Sequence, residues 1–285
     1  MKKGITVLFV ILAAVVVCVI GTLTFPVRAA SAKVKDGVKV PIIMYHSLLK
    51  EKSKQNAYVI SPDSFEQDLK YLKRKGYTAV VMSDLIDYVG KNKELPAKPI
   101  MLTFDDGYYN NYYYAYPLAK EYRMKIIISP VGSYTDKFTN GDCDHPDYSY
   151  CKWSELNEMM KSGYVELQNH SYDLHSSSGS RLGAKKLKSE SVSAYTTLLT
   201  ADLSKMQQKM KENTGYTPTA FVYPFGAISY ASTPVIKSLG FKGSLSCRKE
   251  INYITKDPEC LYFLGRFLRP LNRSSDAFFT SIGVD

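Results

Sequence analysis

Pro99-Ile-Met-Leu-Thr-Phe-Asp-Asp-Gly107 is the stretch on which the reading of this chain turns. Residues 99–104 form an apolar run without strict polar alternation, which predicts a strand buried on both faces. Two carboxylates and a glycine follow at once. Neighbouring residues on a strand point to opposite faces, but at a strand end the chain turns and both aspartates can reach one cavity. Gly107 supplies the conformational freedom for that turn. Taken alone, Asp-Asp-Gly is a common surface turn or helix cap. A second stretch changes the balance: the strand-like Tyr164-Val-Glu-Leu-Gln168 leads into His170-Ser-Tyr-Asp-Leu-His175, which holds two of the four histidines of the chain.

Outward from these stretches, strands and helices alternate. An apolar strand is expected over residues 38–45. Ser61-Pro62 then marks a helix start, with Phe65, Leu69 and Leu72 on one face and a stop at Gly76. A short strand at 78–81 and a helix capped by Ser83 precede the Asp-Asp-Gly strand. A Tyr-rich helix to about 122 and a strand at 125–129 follow it. After a polar loop (133–152) come a helix at 153–161 ended by Gly163, the His strand, and an amphipathic helix from about 188 to 213. Strands at 219–223, 241–245 and 262–266, with a helix near 233–239, complete the pattern. Such alternation predicts a parallel sheet covered by helices, and about seven units favour a (β/α)7-8 barrel. All candidate site residues then fall at C-terminal strand ends, the catalytic rim of a barrel.

One carboxylate and two imidazoles suit a catalytic divalent metal that keeps positions open for water and substrate. Such an ion acidifies water and polarises a carbonyl. The second aspartate can take the proton as general base. His46, at the end of the Ile42-Ile-Met-Tyr45 run, is the best general acid, whereas His145 sits in a polar loop and reads as surface. Tyrosine is over-used, with 23 residues. The cluster at Tyr108, Tyr109, Tyr112, Tyr113 and Tyr114 packs a helix or, given its place after Gly107, stacks against a sugar.

Composition narrows the setting. At 285 residues, one large domain with a full core is affordable in surface terms. A net charge of +10 invites nucleic acid, but the cations are scattered and no nucleic-acid module is present, so an anionic cell surface is the better match. Lys2-Lys3, the uncharged apolar residues 4–25 and the small-residue stretch Ala30-Ser-Ala32 read as a signal peptide or an uncleaved membrane anchor. Either places the rest outside the cytoplasm, secreted or anchored to the membrane. Residues 1–32 are thus a targeting segment with linker, and 33–285 one domain, expected to be monomeric. Apart from Cys18, the cysteines number four, and in an exported domain they suggest two disulfides, with Cys143–Cys151 and Cys247–Cys260 as the sequence-local pairing.

Residues 103–107 (Thr-Phe-Asp-Asp-Gly), His170-Ser171 with His175, and Phe221-Val-Tyr-Pro-Phe-Gly226 together resemble the motifs of polysaccharide deacetylases, the NodB-homology domain of carbohydrate esterase family four. Pro41-Ile-Ile-Met-Tyr-His46 resembles the branch of poly-N-acetylglucosamine deacetylases, which implies a distorted, circularly permuted barrel. The resemblance implies Asp105 as general base and Asp106, His170 and His175 as ligands of a metal, usually Zn2+. It implies an N-acetylated glycan as substrate: peptidoglycan, an exopolysaccharide or chitin-like oligomers. An O-acetyl esterase of xylan type and a catalytically inactive glycan-binding barrel are the alternatives.

Two departures stand out. The usual late Leu-x-x-His acid motif is missing, and the branch resemblance gives that role to His46. The family arginine that pairs with the catalytic aspartate falls at Val222, so Arg266 or Arg269 is expected to replace it. The Phe225 amide lies where the family makes its oxyanion contact, with Tyr223 and Arg266 on the same substrate side.

Overall fold

The computed structural model describes residues 36–141 and 144–285. In chain order the strands of its two barrel-forming parallel sheets are β1 (Ile42–Tyr45), β2 (Thr78–Ala79), β3 (Pro99–Asp106), β4 (Ile126–Pro130), β5 (Val165–Leu167), β6 (Ala220–Val222), β7 (Gly243–Leu245) and β8 (Phe267–Leu268). The main sheet has the order β8-β1-β3-β4-β5, with β2 paired on β3 as well, and β6 pairs separately with β7. Two isolated parallel bridges, Asn169 to Phe221 and Leu245 to Leu264, link the two sheets at either side. The result is an α/β fold with a parallel sheet wrapped like a distorted barrel, whose ring is not closed by a continuous ladder. The last strand lies at 267–268 rather than 262–266. The earlier run is bent away because Phe263 takes a left-handed φ of 60° and its amide bonds to Ser244 Oγ.

Each helix follows from local chemistry. In α1 (Pro62–Arg74), Ser61 Oγ accepts the Ser64 amide, and Phe65, Leu69 and Leu72 are buried. The next helix, α2 (Met82–Lys91), starts just before Ser83, which does not cap it. Instead the buried Glu166 carboxylate on β5 accepts the Met82 and Ser83 amides at 2.9 and 3.1 Å. An acceptor on a distant strand thus satisfies donors that no helix can bond internally. The Tyr-rich segment winds as a π turn (Asn111–Ala115) into α3 (Tyr116–Glu121). Further on lie α4 (Gly132–Thr139), α5 (Trp153–Lys161), α6 (Val192–Thr214), α7 (Ser232–Ser238) and α8 (Ser275–Ser281). Helix α6 begins at 192, later than the sequence pattern suggests, since Ser191 caps it and the preceding Glu190 closes a turn on the Leu187 amide.

The strand period of two sorts the core. Ile43, Tyr45, Leu102, Phe104, Ile126 and Ile128 join one apolar cluster, which includes Phe65 and Leu69 of α1. Ile42, Met101, Ile127, Val222 and Leu245 join another. Thr103 and Asp105 lie on the Met101 side of β3. This arithmetic aims Asp105 at the strand-end cavity.

The cysteines correct one expectation. Cys247 and Cys260 are separate thiols: Cys247 faces Arg266 at the sheet's C-terminal end, while Cys260 Sγ lies 3.8 Å from the Thr255 carbonyl. Closeness in sequence did not bring their Sγ atoms together, as a disulfide requires. Cys151 is a buried thiol 3.2 Å from the Tyr108 carbonyl, and Cys143 lies outside the described residues. Among the described residues, no helix is long and apolar enough to cross a membrane. The targeting segment at 1–32 also lies outside them.

Candidate metal and active site

Strand β3 delivers both aspartates, by different means. Asp105 follows the strand period. Asp106 breaks it: its own φ is 70°, and Gly107 continues at 74°. The turn therefore begins one residue before the glycine, at an aspartate, a residue type that enters the left-handed region more readily than most. A Cβ on Gly107 would lie 2.7 Å from Pro130 Cβ, so only glycine fits there.

Asp105 is buried and gripped by an equally buried arginine. Arg266 Nη1 and Nη2 donate to its two carboxylate oxygens at 2.7 and 2.8 Å. The guanidinium is itself aimed by Nε donating to the Ser246 carbonyl (2.8 Å) and by Nη1 reaching Thr103 Oγ1 (3.2 Å). Burial pushes the Asp105 carboxyl up, but the adjacent guanidinium outweighs it and holds the group below the usual carboxylate range. Arg266 thus stands where the sequence lacks a cation at Val222. The alternative, Arg269, is committed elsewhere: its Nε donates to Asp68 of α1 at 2.7 Å, beside the Tyr45 and Ser275 hydroxyls.

Asp106, His170 and His175 converge. One oxygen of Asp106 lies 3.0 Å from His175 Nε2 and 3.5 Å from His170 Nε2, and one ligand atom of each residue falls within 4.8 Å of the others. His170 Nδ1 sits 2.8 Å from the Val222 carbonyl, to which it donates, leaving Nε2 with its lone pair toward the cavity. A ligand histidine is usually oriented in this manner through its other nitrogen. Burial pushes Asp106 up, yet the two imidazoles hold it far below the usual carboxylate range. The loop between the histidines is pinned by Asp202 of α6, whose oxygens accept the Tyr172 and Asp173 amides at 2.8 Å each. The donor set, its convergence and the His170 tautomer all fit a divalent metal.

His46 faces this group from the end of β1. Its Nδ1 is sealed from solvent without a hydrogen-bond partner, leaving Nε2 as the ring's outlet to the cavity. Burial lowers its pKa from the ordinary histidine value, opposed by the charges of Asp105 and Asp106. Its carbonyl accepts Asn111 Nδ2 at 2.7 Å, and Asn110 Nδ2 holds Ser47 Oγ at 2.9 Å. The segment after Gly107 therefore fixes the loop that carries His46. Sequence reasoning did not anticipate this role for the two asparagines.

A cavity of about 730 Å³ contains the whole group. His46, Asp105, Asp106, His170, His175, Phe225 and Arg266 all line it, together with Met44, Tyr58, Tyr108, Cys247 and Lys249. The Phe225 ring lies 4.6 Å from the His175 ring. Tyr223 is not in the lining: it is buried, with its hydroxyl 2.6 Å from Ser232 Oγ. Of the tyrosine cluster only Tyr108 reaches the cavity, stacked on Tyr150, while Tyr112 bonds to Glu158 on the outer surface.

The profile of the family described as polysaccharide deacetylase matches residues 92–244. That stretch holds both aspartates and His170 and His175 but neither His46 nor Arg266. Poly-beta-1,6-N-acetyl-D-glucosamine N-deacetylase of Staphylococcus aureus (strain MSSA476) is 29% identical over 197 residues, covering 68% of this chain and 62% of the relative. The enzyme of the same name from Escherichia coli K12 is 25% identical over 219 residues, covering 70% and 32%. The chain thus spans between about a third and three fifths of the length of these curated relatives. Among solved structures, a de-N-acetylase from Aggregatibacter actinomycetemcomitans superposes with a TM-score of 0.73 at 26% identity, covering 85% of this chain and 99% of that one. IcaB from Ammonifex degensii gives 0.70 at 25% identity, covering 87% and 97%.

Proposed function

The chain belongs to the polysaccharide deacetylase family, and on that premise we propose that it is an exported, metal-dependent N-deacetylase of N-acetylglucosamine-containing polysaccharide. The observation that carries this reading is the pairing of an arginine-clamped carboxylate, Asp105, with the Asp106–His170–His175 group in one cavity. The names of the relatives favour a poly-N-acetylglucosamine chain among the glycans considered above.

Asp106, His170 and His175 would hold the ion, with zinc the first choice for this donor set. Such an ion supplies Lewis acidity toward the acetamide carbonyl and lowers the pKa of water. Asp105, kept ionised by Arg266, takes a proton from the attacking water. The water oxygen adds to the acetyl carbon, and the carbon–nitrogen bond then breaks. His46 delivers a proton from Nε2 to the departing nitrogen. The products are acetate and a free glucosamine amine. Anchoring or secretion through residues 1–32 completes the proposal and puts the cavity on the glycan side of the membrane.

The test is acetate release from N-acetylglucosamine oligomers by the metal-loaded chain. Asp106→Ala or a chelator is expected to abolish it. Release from acetylated xylan alone, or from no substrate while metal is bound, would overturn the proposal.

A further inference from the structure

Helix α4 lies against the loop that carries both histidines. A Cβ on Gly132 would sit 2.6 Å from the Tyr172 ring, so the start of the helix approaches the loop as closely as a backbone can. The Gly132 and Ser133 amides donate to the Ser171 and Tyr172 carbonyls at 3.1 and 2.7 Å. Asp136 accepts the Tyr172 hydroxyl at 2.9 Å and is itself fixed by Trp153 Nε1 at 2.7 Å. Tyr134 makes the contact nearest the chemistry. Its hydroxyl donates to the His175 carbonyl at 3.1 Å, and its ring meets the His175 ring edge-on at 5.9 Å. The same ring packs on Tyr150 at 4.6 Å.

The two histidines need this support unequally. His170 is buried, and the Val222 carbonyl orients its imidazole through Nδ1. His175 stands at the open end of the loop, with a side chain 14% exposed and residues 176–180 beyond it all exposed. Among the described residues its imidazole has no bond of the kind His170 makes through Nδ1. Its Nε2 nevertheless lies nearer to Asp106, at 3.0 Å against 3.5 Å. An imidazole that is not tied through its outer nitrogen takes its direction from its backbone and from the rings packed on it, and Tyr134 supplies both. Tyr134 does not line the cavity, so any effect on the chemistry passes through His175. We propose that Tyr134 is a positioning residue: through the carbonyl and ring of His175 it places the third ligand of the proposed metal site, and so sets how tightly that site holds zinc.

This role rests on the metal-dependent reading, and one titration separates the two. Zinc is titrated into the full metal-free chain against a chromophoric chelator, and acetate release from N-acetylglucosamine oligomers is followed over the same zinc range. Tyr134→Phe keeps both ring contacts and removes only the hydroxyl. Its zinc Kd is expected to weaken about tenfold, the lower end of what losing such an outer partner costs. Half-maximal acetate release is expected to move to higher zinc by the same factor. A tyrosine with a merely structural role would instead lower the urea stability of the metal-free chain and leave the zinc Kd where it was. That result, or an unchanged Kd by itself, overturns the positioning role. Failure of the unmodified chain to bind zinc would strike the metal-dependent reading and the role of Tyr134 with it. Zinc binding without acetate release from any oligomer would strike the deacetylase reading alone, since the Kd comparison still decides the role of Tyr134.

Discussion

Arg266 is the residue whose removal should do most damage away from the metal ligands. Its two-point contact with Asp105 is wholly buried, and taking away one partner strands the other charge in a low-dielectric interior. Such losses cost on the order of 3–5 kcal/mol. Arg266→Met is therefore expected to lower the urea unfolding free energy by about that amount. Arg266→Lys should fold better, because it keeps the charge, but a point cation cannot hold both carboxylate oxygens. With Asp105 free to turn, its kcat for acetate release is expected to fall by at least about a hundredfold. Equal activity in Arg266→Lys and the unmodified chain would refute the positioning role. The sequence offered this arginine only as one of two guesses, since nothing in a linear string says that Arg266 rather than Arg269 reaches β3. They lie three positions apart, and the bend at Phe263 and the register of β8 decide which points inward.

At the level of elements, the strand ends were legible and the ties between elements were not. Buried apolar runs named β1, β3 and β4, and Ser61-Pro62 marked a helix start by a mechanism that acts within a few residues. The α2 start was misplaced because its cap comes from Glu166, eighty-odd positions away. The disulfide expectation failed for a related reason: Cys247 and Cys260 are close in sequence yet serve different packing environments. Asp106, likewise, needed its own left-handed turn, for which Gly107 was only half the signal.

Helix α5 gives a pH prediction. Glu155 in its first turn accepts the Lys152 amide, but burial first, and Asp144 to a lesser degree, push its carboxyl up to about 7. A raised carboxyl binds its proton more tightly in the folded state. Its contribution to stability is then full below the ordinary carboxylate range and is lost as pH rises through about 7. The urea unfolding free energy of the unmodified chain should fall relative to Glu155→Gln between about pH 5 and pH 8, by on the order of 2 kcal/mol. Parallel pH profiles for the two proteins would rule this out.

For the molecule as a whole, the proposed metal site should be felt as stability besides activity. The three proposed ligands come from β3 and from the loop after β5, so an ion there would join segments far apart in the chain. Zinc at about a hundredfold over its Kd adds about 2.7 kcal/mol to the folded state, which raises Tm by several degrees in a domain of this size. Calorimetry with and without chelator is expected to show that shift, and His175→Ala should lose it while still folding. An unchanged Tm on adding zinc would argue against the triad as a metal site.

The neighbourhood of β1 and β8 has a consequence in time. These are the first and last strands of the parallel sheet, yet they lie side by side, and between them and β3 sit His46, Arg266 and Asp105. In sequence order His46 comes first, Asp105, Asp106, His170 and His175 next, and Arg266 almost at the end. Until residue 266 is in place, Asp105 lacks its two-point contact and β1 lacks one of its two neighbours. On the proposed function and export, the site is complete only when the late segment docks against the early one.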